Sequence, residues 1–201
     1  MIFQNFIYSK TYDHYLVLPM KTGTVNASWI FTYFDFYTYT RNFDSDGNFK
    51  EISNPAMSAV HSFYLPPEIE NPKVIVTTRN PYDKVLSRFL FSWTRNDRPS
   101  YQDFLNNILN SIQHNNPSLI YPSELVPTYL IRLENMYEDY MKIPFIRDSN
   151  LNKTGILSEM CGKKINESRI RINKEDFLTK ETKNLIYNFL RNQFELFGYE
   201  R

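Results

Sequence analysis

Cysteine and glycine are scarce in this chain: of 201 residues only Cys161 is a cysteine and 5 are glycine. A single thiol closes no internal disulfide, and no Cys/His group has zinc spacing, so a disulfide- or zinc-stapled fold is excluded. Nowhere do about 18 apolar residues run uninterrupted, which leaves no transmembrane candidate. The opening residues MIFQNFIYSKTYDHYLVLPMK lack a basic segment followed by a clean apolar one. The expectation is a soluble, cytoplasmic protein without a membrane partner. Excess charge is missing too. A net +1 gives no broad attraction for a nucleic-acid backbone or an anionic bilayer, so nucleic acid is not an expected partner and any anion must be held locally. Internal repeats and low-complexity tracts are absent.

What remains is an ordinary globular composition, with 42% hydrophobic and 22% charged residues, and a length that suits one domain spanning 1–201. The strongest strand signal is KVIVTT from Lys73, whose β-branched run suits a strand buried on both faces of a parallel sheet. His14 to Leu18 reads as a second buried strand, and Tyr129 to Leu133 as a third, followed by a helix start at Glu134. Helices are predicted from about Val25 through WIFTYFDFYTYT, from Pro81 to about Trp93, over Tyr101 to Gln113, and from about Lys180 to Leu196. The twelve residues from Trp29 pull both ways, because their Thr and aromatic content favours a strand while their place after a strand and turn favours a helix. Residues 41–58 read as a polar surface loop. Alternating strands and helices give an α/β fold with helices on both faces of a sheet, a three-layer α/β/α arrangement around a central parallel sheet. Ligands of such folds bind beyond the carboxyl ends of the strands.

Two of those ends carry cations. LPMKTGT follows the first strand; its glycine-containing turn before a helix can aim backbone N–H groups at an anion, although the same residues also make ordinary polar turns. VTTRNPYDKVLSRF ends the central strand with Arg79, which can make two parallel bonds to phosphate. Ser87, eight positions on, adds a hydroxyl. An Arg79–carboxylate pair and an ordinary helix-face serine remain the alternative.

In the order LPMKTGT, His61, RNPYDKVLS, YLIRLENMYEDY and ELFGY, the chain resembles the sulfotransferases that use 3′-phosphoadenosine-5′-phosphosulfate (PAPS), particularly the carbohydrate type, over about residues 15–199. The resemblance implies a P-loop-type nucleotide-binding fold. It assigns Lys21 to the 5′-phosphate and bridging oxygen, and Thr22, Gly23, Thr24 and Val25 to wrapping that phosphate with N–H groups and hydroxyls. Arg79 and Ser87 then hold the 3′-phosphate. Lys164, Asn166 and Ser168 belong to a late basic loop near it. No metal is expected, and the partner is a hydroxyl-bearing acceptor, preferably a saccharide. His61 is the preferred base, ahead of Glu51 or Asp46, since an imidazole near neutral pKa can accept the acceptor's proton. Departures from the pattern are Met20 between Pro19 and Lys21, Asn26 where Ser or Thr is frequent, and Lys84 where a second arginine is usual. Arg132 and Glu134 are read as a strand-end ion pair and a helix-start charge. An ATP- or GTP-dependent phosphotransferase is the rival enzyme, but the G-x-x-x-x-G-K-[ST] order and a strand-end Asp for magnesium are missing. A catalytically silent nucleotide-binding domain is the other alternative.

Overall fold

The computed structural model describes residues 4–43, 49–55, 70–94, 97–122, 125–163 and 170–201. Its strands are β1 (Gln4–Ser9), β2 (His14–Val17), β3 (Tyr37–Phe43), β4 (Phe49–Pro55), β5 (Val74–Thr78) and β6 (Tyr129–Arg132). The helices are α1 (Thr24–Thr32), α2 (Pro81–Ser92), α3 (Tyr101–Gln113), α4 (Met136–Tyr140), α5 (Pro144–Arg147), α6 (Asn150–Lys153), α7 (Ile156–Gly162) and α8 (Lys180–Phe197). They gather into two compact units, Met1–Thr78 with Val126–Ile165, and Arg79–Leu125 with Asn166–Arg201.

The first unit holds one six-stranded sheet in the order β4-β3-β1-β2-β5-β6. Strands β2, β5 and β6 run parallel, with Leu16 opposite Ile75 and Val76 opposite Leu130. Every residue of β5 is buried, as its unbroken β-branched run requires of a strand flanked on both sides. The expected wholly parallel sheet is corrected, because β1 pairs antiparallel with β2 and β3, and β3 with β4, making the sheet mixed. The α/β class stands.

Two readings of the polar and aromatic stretches are corrected with it. The helix through WIFTYFDFYTYT stops at Thr32, Asp35 turns the chain with φ 54°, and Tyr37 starts β3. Alternating Tyr and Thr suit a pleated strand, and that local preference prevails once the helix has ended. Residues 41–43 and 49–55, read as surface loop, belong to β3 and β4, with Thr40 opposite Ile52. The intervening DSDGN residues lie outside the described ones. Strand β1, not anticipated, forms a hairpin with β2 in which Tyr8 stands opposite Tyr15, their rings stacked at 4.6 Å. The aromatic excess thus goes into packing, as Phe6 on Tyr39 and Tyr12 on Phe145 also show. Ile7, Leu16, Ile30, Phe31, Ile75, Ile131 and Tyr140 form the core of this unit, each large apolar side chain contributing about 2 kcal/mol by burial.

The second unit packs α2, α3 and α8 around Leu86, Phe89, Phe104, Ile108, Ile186 and Phe194. Its helix starts are written in the sequence. Asn80 accepts from Tyr82 N ahead of Pro81, Ser100 and Asp103 form a capping box, and Thr179 caps α8. On α3 the expected face is buried at Phe104 and Ile108, while Leu109 is 46% exposed. On α8 Phe194 is buried, and Leu185 and Phe189 are half-buried. Among the described residues no helix is long and apolar enough to cross a membrane.

Candidate functional site

The carboxyl ends of β2, β5 and β6 share one edge of the sheet, and LPMKTGT leaves β2 there. Lys21 is half-buried and sits in the left-handed region at φ 66°, a conformation that costs a non-glycine residue about 1–2 kcal/mol. Gly23, at φ 80°, is the N-cap of α1. No side chain caps this helix, so by helix geometry the N–H groups of Thr24, Val25 and Asn26 have no intrahelical acceptor. A backbone anion site is what such an end offers.

The threonine hydroxyls do something else. Thr22 Oγ1 donates to Pro19 O at 2.6 Å, and Thr24 Oγ1 donates to the same carbonyl at 3.0 Å. Thr22 has therefore used its only hydrogen, so the 2.8 Å contact with Thr77 Oγ1 has Thr77 as donor. Both threonines are buried, and their hydroxyls brace the loop against itself and against β5. The hydroxyls expected to reach the 5′-phosphate bond internally in this structure; Val25, half-buried, offers its backbone N–H for the task. Asn26 is buried, its Nδ2 donating to Met160 O at 2.7 Å, which ties the first turn of α1 to α7.

The loop is also supported from below. A Cβ on Gly23 would lie 2.8 Å from Leu133 Cδ1, so any larger residue would push the tip of Leu133 aside, and the positive φ itself favours glycine. Leu133 opens a 3-10 turn, Leu133–Asn135, immediately after Arg132. Arg132 is held by Asp139, whose carboxylate accepts from Arg132 N, Nε and Nη2 at 2.9, 2.9 and 2.8 Å and from Lys142 Nζ at 2.5 Å. The Asp139 side chain is fully buried. Burial opposes its charge, but the bonds from Arg132 and Lys142 outweigh that and hold its pKa below the usual carboxylate value. The strand-end ion pair expected for Arg132 is present. Its partner was not foreseen, since it sits seven residues on and only the 3-10 turn folds it back.

In the second unit Arg79 directly follows β5 and is half-buried, and Asn80 caps α2. Ser87, also half-buried, lies two turns up α2 on the face of Asn80, about 10 Å along the axis. A ligand shared by Arg79 and Ser87 must run along this face. Lys84, which stands where a second arginine is usual, is 2% exposed, and its Nζ donates to Leu119 O at 2.8 Å and Gln193 Oε1 at 3.0 Å. Burial pushes its pKa from 10.5 down to about 7.

His61, Asp46, Lys164, Asn166 and Ser168 lie outside the described residues, as does the Glu51 side chain. His14, set aside as a base, starts β2 at the end of the strand away from the loop; its Nδ1 donates to Tyr12 O, and burial lowers its pKa. Among the described residues no His, Cys, Asp and Glu group could hold a metal ion. Comparison with protein-family models, curated proteins and solved structures finds no match to this chain.

Proposed function

We propose that this protein is a PAPS-dependent sulfotransferase, passing the sulfuryl group to an acceptor hydroxyl, with a saccharide as the acceptor. The observation that carries the reading is the uncapped N-terminus of α1 directly beyond β2, entered through Lys21 and Gly23, both left-handed. That geometry suits the 5′-phosphosulfate end of the donor. For the 3′-phosphate the proposal rests on chemistry alone, the guanidinium fork of Arg79 and the hydroxyl of Ser87 matching that group. A three-layer fold of the P-loop nucleotide-binding type is part of the same proposal, supported by the strand, loop and helix of β2 and α1 and by the parallel neighbour β5.

In the reaction the acceptor oxygen forms a bond to sulfur while the sulfur–oxygen bond to the 5′-phosphate breaks. His61 takes the hydroxyl proton, and Lys21 neutralises charge growing on the leaving phosphate. No metal step is needed for this chemistry. Transfer of labelled sulfate from PAPS to a panel of sugars, phenols and peptides tests it. The expected result is a labelled sugar, with His61→Ala lowering turnover by about a hundredfold or more while leaving affinity for 3′-phosphoadenosine 5′-phosphate (PAP) nearly unchanged. A fully active His61→Ala would sink the assignment of the base.

A second reading, a nucleotide-binding domain without catalysis, is favoured by one observation: Thr22 and Thr24 have both turned their hydroxyls to Pro19 O. It predicts PAP binding with no label passed to any acceptor.

A further inference from the structure

Lys84 stands out in the second unit because, among the described residues, no acidic group bonds its amine. Its amine is buried among the apolar side chains that join α2 to α8, and its two contacts are neutral acceptors, Leu119 O and Gln193 Oε1. A neutral amine has two N–H groups, and two acceptors are present; an ammonium has a third N–H, for which the described residues provide no partner. Gln193 completes the arrangement by donating Nε2 to Leu119 O at 2.8 Å. Three segments are thereby pinned to one nitrogen: α2, the turn at Leu119 and α8.

The charged and titratable groups on the surrounding elements do not bond the Lys84 amine. On α2, Asp83 takes a bond from Lys174, and Arg88 is half-buried with its Nε unpartnered among the described residues. On α8, Glu181 accepts from Tyr101, Lys183 lies over the Tyr82 ring, and Arg191 pairs with Glu195. Asp103 of α3 is committed to its capping box, and exposed His114 follows that helix. Beside Leu119, Tyr121 donates its hydroxyl to Leu125 O. None of these touches Lys84 Nζ.

We propose that Lys84 is a positioning residue that works as a proton-operated latch: its neutral amine seats α2 so that Arg79 and Ser87 present the 3′-phosphate site, and protonation unseats it. The link is short. Lys84 N donates to Asn80 O at 2.9 Å, in the turn that follows Arg79, and Ser87 is one turn further along the same helix. The part concerning the 3′-phosphate rests on the sulfotransferase reading; the latch does not.

Because the folded amine has a pKa near 7 and the unfolded one 10.5, the unfolded chain carries a proton that the folded chain lacks between those values. Stability therefore rises with pH across that window and its gain is absent below about pH 7. Lys84→Met removes the titration and nearly keeps the shape. Urea unfolding of the full chain from pH 6 to 10 is expected to show a rising midpoint for the wild type relative to Lys84→Met, and calorimetric PAP affinity is expected to fall several-fold more for the wild type between pH 8.5 and 6. The PAP phosphates' own titration cancels in that comparison. Parallel wild-type and variant stability profiles overturn the latch, and parallel affinity profiles overturn its link to the site. Absence of PAP binding at every pH overturns the functional reading and the link with it, while the stability profiles still decide the latch. Should Lys84→Met fail to fold, side-chain NMR of wild-type lysines decides: one amine titrating near 7 supports the latch, and all titrating near 10.5 overturns it.

Discussion

Lys21→Ala is expected to lower kcat/KM for sulfuryl transfer about a hundred- to a thousandfold, or about 3–4 kcal/mol, because the charge growing on the leaving phosphate loses its nearest cation. Alanine also accepts the left-handed conformation no better than lysine, so the backbone of the loop is left as it was and the loss reports charge. Lys21→Gly provides the contrast. It relieves about 1 kcal/mol of backbone strain and should unfold at a higher urea concentration while remaining as inactive as the alanine variant. Steady-state kinetics with labelled PAPS, read beside PAP affinity, check the pair. Lys21→Ala with undiminished turnover would remove the loop from the chemistry.

Asp139→Ala is the largest effect expected on the fold. It removes a fully buried carboxylate that meets one backbone N–H and two cationic side chains, so three N–H bonds from Arg132 and one from Lys142 lose this acceptor. Losing these bonds costs about 1–3 kcal/mol, readable as a lower urea midpoint. The damage should reach the loop, since Arg132 leads into the turn whose Leu133 closes on Gly23. The pH dependence has a definite sign. With its folded pKa held below the ordinary carboxylate value, Asp139 contributes stability that is present above about pH 4 and is lost as pH falls through the folded value. Acid unfolding of the wild type should therefore show a component that Asp139→Ala lacks.

The parts of this architecture that were legible in the sequence are those fixed by local physics. Val74–Thr78 announces a buried strand by its unbroken β-branched run, and α2 and α3 announce themselves through Pro81 and through an apolar face at helical spacing. The β3–β4 hairpin is hidden in the sequence because helix-after-strand order competes with the YTYT alternation in β3, while polar residues and turn dipeptides mask β4. The site divides in the same way. That a turn with Lys21 and Gly23 follows β2 is readable from residue types, and so is Arg79 at the end of β5. Which way Thr22 and Thr24 turn is not, because it depends on the Pro19 carbonyl and on Thr77, 55 positions away from Thr22. Lys84 shows the same limit: the sequence marks it only as a cation where a second arginine is usual, and the packing of α8 makes it an internal group.

The most direct measurement of the central claim is titration calorimetry of the full chain, without metal, against PAP and against ADP, which lacks the 3′-phosphate. The account predicts PAP binding tighter by about a hundredfold or more, with Arg79→Ala removing most of the difference, since a charge-assisted guanidinium fork is what reads that group. Equal affinity for the two nucleotides, or binding of magnesium ADP alone, would contradict it.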